Sequence, residues 1–244
     1  AIPIKKRCCG RWWRNNMTLR DVIRNLLYPP RCRLCGALCG WEEQVCPACR
    51  EQLPQAGDFF REPEVFGCRE LLWCARYEGV FRRGMEQLKF EGVRESLPLF
   101  GGMLAAAVRQ SGLLPELTAV TYVPMPPERE RHRGYNQSRL LAEQLAKELG
   151  LPLREGVLAR DGRATAHAAE GRAARIALAQ ESYRAGSRCL PPGEHILLID
   201  DIITTGATIE KCAGLLKAQG AGTVTAAAVL RTPRPEEKKP AEKL

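Results

Sequence analysis

The chain reads as an α/β protein, a parallel sheet with helices on both faces, preceded by a small N-terminal lobe rich in cysteine. Three observations predict this. Short apolar runs alternate with helical patterns, as at residues 119–123, 136–149, 196–199 and 223–230. The run Ile196-Leu197-Leu198-Ile199 is wholly apolar, as a parallel strand covered on both faces requires, and passes through a turn straight into a helix. Five of the eleven cysteines fall between Cys32 and Cys49, where large apolar residues are few.

Residues 1–16 hold Lys5, Lys6, Arg7, Arg11 and Arg14 and no acid, which is five of the formal net charge of +9. They lack an initial Met, whereas Met17 precedes a helical stretch with Thr18 as N-cap and Asp21 three residues on. Residues 1–16 are therefore expected to be a non-native or disordered extension. Residues 17–60 form the first helix and the cysteine lobe, 61–231 the α/β domain, and 232–244, mixed in proline and charge, a disordered tail. An odd cysteine count and no apolar leader point to a reducing, cytoplasmic setting, and no apolar run has the length of a membrane span.

Within the lobe, Cys32-Arg33-Leu34-Cys35 and Cys46-Pro47-Ala48-Cys49 are two C-x2-C knuckles separated by ten residues. Each pair can chelate from a tight turn, and four thiolates complete a tetrahedral zinc site with no open position, so the metal is expected to be structural. Cys39 could stand in for Cys35, but the closer spacing is the better chelate. Cys68, Cys74, Cys189 and Cys212 read as small buried hydrophobes.

The strand at 119–123 ends in Pro124-Met125-Pro126-Pro127, and a basic loop follows. Arg129, Arg131 and Arg133, then Gly134 and a helix start, offer forked donors and backbone amides for a diphosphate. The helix at 136–149 turns Leu141, Leu145 and Leu149 to one face, with Ala142 and Ala146 beside them.

The most informative stretch is Asp200-Asp201-Ile202-Ile203-Thr204-Thr205-Gly206-Ala207-Thr208. After it, Ile209, Cys212, Ala213 and Leu216 recur at helical spacing, so the turn ends at a helix N-terminus. Amides of the turn and the hydroxyls of Thr204, Thr205 and Thr208 suit a phosphate, and Gly206 lets the main chain approach, with Ala207 opening the helix. Two carboxylates beside a phosphate need something between them. A ribose fits, because ionised Asp accepts from vicinal hydroxyls and can join the outer shell of Mg²⁺.

These residues resemble the signature of the type I phosphoribosyltransferases, which bind 5-phosphoribosyl 1-diphosphate. The resemblance implies that Asp200 and Asp201 serve the ribose hydroxyls and the catalytic step, and that residues 204–208 hold the 5-phosphate. The wider order resembles the ComF family of bacterial competence proteins: Tyr28-Pro29-Pro30-Arg31-Cys32, the knuckles, Leu88-Lys89-Phe90 with Gly92, Val123-Pro124-Met125-Pro126, Arg133-Gly134-Tyr135-Asn136-Gln137 and the acidic signature. It implies a zinc lobe fused to a phosphoribosyltransferase fold, and a cytoplasmic role in handling imported DNA during natural transformation. Single-stranded DNA and competence or recombination proteins are the implied partners. Where that family tends to show Gln and Asn in the segment after Arg160, this chain has Thr165-Ala166-His167-Ala168 and Arg175-Ile176-Ala177-Leu178, which puts closure of a loop over the site in question. Three functions stay open: a DNA-uptake accessory that binds the sugar diphosphate, an active transferase with an unnamed acceptor, and a ligand-sensing adaptor.

Overall fold

The structure, a computed structural model, describes residues 29–40, 43–54, 58–92, 94–162 and 181–233. The expected first helix, the N-terminal extension, the end of the tail and the segment from Thr165 to Leu178 lie outside these residues.

Five strands form the main sheet in the order β1-β2-β7-β6-β3. They are β1 (Phe60–Val65), β2 (Cys68–Arg76), β3 (Ala119–Tyr122), β6 (His195–Ile203) and β7 (Thr223–Arg231), and β4 (Leu158–Arg160) and β5 (Tyr183–Ala185) pair separately. β2, β7, β6 and β3 run parallel, while β1 folds back antiparallel along the edge. Side chains alternate across the sheet as a period of two requires. Leu72, Leu197, Ile199, Ala227 and Val229 enter one core, and Leu71, Trp73, Ile196, Leu198, Ala226 and Ala228 enter the other. Both faces are thus covered along the inner strands, whose central stretches are almost wholly apolar, whereas the edge strand β1 is largely exposed and carries Arg61, Glu62 and Glu64.

The helices are α1 (Pro47–Arg50), α2 (Gly79–Glu86), α3 (Leu97–Gln110), α4 (Pro127–Arg133), α5 (Gln137–Leu149) and α6 (Ala207–Ala218), and a π-helix, Gln87–Glu91, prolongs α2. α5 buries Leu141, Ala142, Leu145 and Ala146 as its periodicity predicts. It lies close against α3 at Gly101, where the Gln144 side chain leaves no room for a Cβ. α6 covers the other face with Ile209, Cys212, Ala213 and Leu216.

The cysteine lobe rests on this body and shares its core. Its first knuckle is a tight turn in which Gly36 N–H donates to Cys32 O at 2.9 Å and Cys32 N–H to Ala37 O at 2.8 Å. Leu34, fully buried, leaves the knuckle and joins Met85, Leu88, Phe100 and Leu104 in one apolar cluster. Burying a leucine in this way contributes roughly 1.5–3 kcal/mol, so the lobe is fastened by packing as well as by any metal.

Candidate ligand cleft and cysteine centre

A cleft of about 820 Å³ opens at the carboxyl ends of β3 and β6, where an open parallel sheet places its ligands. The acids arise because β6 does not stop at Ile199. It stays paired with β7 through Asp200↔Ala228 to Ile203↔Arg231, which carries both carboxylates to the end of the sheet.

The two acids have different surroundings. Asp200 is buried, and its Oδ1 accepts from Ser138 Oγ at 3.0 Å and from the Asp201 backbone N–H at 2.8 Å. Burial first, and then the charge of Asp201, push its carboxyl up to about 7, against the pull of the Asp201 amide, Lys89 and Ser138. Ser138 is presented by the first turn of α5, whose N-cap Asn136 accepts from the N–H groups of Ser138 and Arg139. The same Asn136 donates to Val123 O at 3.0 Å, tying the segment after β3 to the helix. Asp201 is nearly as little exposed, both acids line the cleft, and Lys89 Nζ meets Asp201 Oδ2 at 2.8 Å.

The opposite wall is basic. The stretch expected as a loop is the helix α4, begun by Pro127 at its first turn, with Glu128 and Glu130 early, Arg131, His132 and Arg133 late, and Gly134 closing it at φ 83°. None of its residues is buried, so no apolar stripe announces it. Arg129, His132 and Arg133 line the cleft. Arg131 and Gly134 are not among the residues that do so. Arg133 donates to Gln137 Oε1 at 2.8 Å and lies 5.4 Å from the centre of the Phe90 ring. Arg160 enters from β4, 4.5 Å from the Tyr183 ring centre, with its Nε donating to Ser182 Oγ at 3.1 Å.

Of the expected phosphate turn, Thr208 lines the cleft, and Thr204 and Thr205 are exposed between β6 and α6. Gly206 has φ 83°, the left-handed backbone that lets β6 reverse into α6. Sequence reasoning missed Lys89, Ser138, Arg160 and Tyr183 as lining residues. In the sequence Lys89 stands out only within Leu88-Lys89-Phe90, and Arg160 carries no local pattern that marks it.

In the lobe, the sulfurs of Cys32, Cys35, Cys46 and Cys49 all lie within 4.8 Å of one another. Cys35 Sγ and Cys46 Sγ are 3.7 Å apart, close to the ~3.8 Å edge of a tetrahedron with zinc–sulfur bonds of ~2.3 Å. Burial disfavours the Cys32 thiolate, but the amides of Cys35, Cys46 and Leu34 outweigh it and bring that thiol down to about 6. The donor set fits a structural zinc. Cys39 stands apart, its Sγ donating to Glu43 O at 3.2 Å.

The comparisons with known proteins agree with both halves. Residues 136–243 match the phosphoribosyl transferase domain and residues 23–59 the double zinc ribbon domain. Over 213 residues the chain is 30% identical to the DNA utilization protein YhgH of Escherichia coli O157:H7, covering 82% of this chain and 90% of that protein. It is 26% identical to competence protein F of Haemophilus influenzae, covering 78% and 80%, and 28% identical to competence protein ComFC of Streptococcus pneumoniae, covering 66% and 72%. The chain belongs to the ComF family of competence proteins. Among solved structures, adenine phosphoribosyltransferase of Leishmania tarentolae is similar at a TM-score of 0.40 and 14% identity, covering 70% of this chain and 94% of that one. Family membership joins a phosphoribosyltransferase-like α/β fold to an N-terminal four-cysteine lobe, which is the architecture seen here.

Proposed function

We propose that the cleft binds 5-phosphoribosyl 1-diphosphate together with Mg²⁺, and that the protein serves DNA uptake from the cytoplasm. One observation carries the ligand reading: an acid pair at the end of β6 faces a wall of Lys89, Arg129, Arg133 and Arg160 across a cleft of ligand size. In this reading Asp201 accepts from the ribose hydroxyls. Asp200, fixed by Ser138, shapes the floor beneath it, and the turn from Thr204 to Thr208 with the start of α6 receives the 5-phosphate. Arg129 and Arg133 take the diphosphate, whose charge Mg²⁺ helps to neutralise when bound. The DNA role is supported by the names of the relatives, a DNA utilization protein and two competence proteins.

Calorimetric titration with the sugar diphosphate and Mg²⁺ tests the site. Binding by the wild type that falls at least tenfold in Asp201→Asn is expected, and equal affinity in the two would reject the assignment. In the host, a deletion strain complemented with Asp201→Asn should transform less often than one complemented with the wild type.

A second reading, turnover, is favoured by Phe90. This ring is 75% exposed at the cleft and leaves an aromatic face for a planar acceptor. Diphosphate release in the presence of a nucleobase panel separates a transferase from a binding protein.

A further inference from the structure

The ion pair between Lys89 and Asp201 has an unusual support. Lys89 sits in the π-helix Gln87–Glu91, and that segment is clamped from two sides. From the body, Tyr135 Oη and, at 3.5 Å, Gln137 Nε2 both donate to Leu88 O, and the Leu88 side chain is fully buried. From the lobe, the first knuckle presses on the same stretch. A Cβ at Gly84 would stand 2.9 Å from Leu34 Cδ2 and 3.3 Å from Leu34 Cα, and one at Gly36 would stand 3.0 Å from Gln87 Nε2. Leu34 and Gly36 are the residues on either side of Cys35. The path from a zinc ligand to the acid of the cleft is therefore a run of direct contacts: knuckle, α2 and π-helix, Lys89, Asp201.

We propose that Lys89 is a binding residue of the cleft held in place by the metal-filled lobe, so that zinc in the lobe and sugar diphosphate in the cleft each tighten the other. The proposal rests on the reading of the cleft as a sugar-diphosphate site. Its physical basis is that a lysine aimed at Asp201 in advance loses little rotamer freedom when a polyanion arrives. A knuckle loosened by loss of its metal frees Leu34 and Gln87, and with them the lysine. Linkage makes the effect reciprocal, by the same factor in both directions.

The test is competition for zinc between the full chain and a chromogenic chelator, with and without saturating sugar diphosphate and Mg²⁺, in the wild type, Lys89→Ala and Lys89→Arg. Calorimetry on the same proteins reads ligand binding. In the wild type, ligand should tighten zinc about fivefold or more, the lower end of ordinary coupling. Lys89→Ala should keep its zinc affinity without ligand but lose the tightening, and Lys89→Arg should recover part of it. Chelation of zinc by the diphosphate itself works in the opposite direction and equally on every variant. Ligand binding to the wild type with zinc affinity unmoved overturns the coupling, and equal tightening in Lys89→Ala overturns its passage through Lys89, each leaving the cleft reading intact. No calorimetric binding to the wild type overturns both.

Discussion

Asp200→Asn should stabilise the ligand-free protein, and the gain should grow with pH. The unfolded aspartate ionises near 3.8, whereas burial and the neighbouring Asp201 raise Asp200 to about 7 in the folded chain. Between those values the folded state binds more protons than the unfolded one, so stability falls as pH rises and levels off above the folded value. At ~1.4 kcal/mol per unit, keeping Asp200 in the core costs about 4 kcal/mol at about pH 8 and roughly 2 kcal/mol at about pH 5. Asparagine keeps an oxygen to accept from Ser138 Oγ and the Asp201 amide, and it carries no charge. Urea unfolding of zinc-saturated protein at both pH values reads the difference. The advantage of Asp200→Asn over the wild type should be about 2–3 kcal/mol larger at the higher pH. An advantage independent of pH, or a variant less stable than the wild type at about pH 8, would refute the account of a costly buried acid.

Three further outcomes are expected. Atomic absorption should find one zinc per chain, lost in Cys46→Ser and in Cys49→Ser, with hydrogen exchange rising in the lobe and along α2, because Leu34 packs across that boundary. Leu34→Ala should cost about 2–5 kcal/mol in urea unfolding while four cysteines remain to hold metal; a cost under ~0.5 kcal/mol would mean the lobe is not fastened through this residue. Anisotropy of a labelled single-stranded oligonucleotide should show binding that weakens steeply with salt, displaced by the sugar diphosphate if Arg129 and Arg133 serve both ligands and unaffected if the DNA lies on the lobe.

Much of the fold was legible because strands covered on both faces leave an unmistakable trace. The apolar runs at Ile196–Ile199 and at 223–230 could be little else, and the leucine spacing in α5 named its buried face. The knuckles were equally plain, since chelation fixes spacing along the chain. Other features left no such trace. α4 buries nothing, so hydrophobic periodicity is silent on it, although its proline start, acidic first turn, basic last turn and glycine end were all present in the sequence. Lys89 and Arg160 could not be placed beside the acids by inspection, because they reach the cleft from the π-helix and from the separate β4–β5 pair, elements far from β6 in the chain. The different partners of the two acids, Ser138 for Asp200 and Lys89 for Asp201, depend on α5 and the π-helix meeting the end of β6 and have no local signature.

The π-helix also makes the length of its segment matter. One extra residue per turn is what places Leu88 inward and Lys89 toward Asp201 at once. Deleting a single residue between Gln87 and Glu91 would let the backbone relax to ordinary α geometry, which changes the angle between successive side chains inside the segment and so turns Lys89 relative to the buried Leu88. The lysine would then leave the acid even with all the cleft's chemistry still encoded. Residue count in this short stretch is therefore as strict a requirement as residue type, and tolerance to substitution there should far exceed tolerance to insertion or deletion.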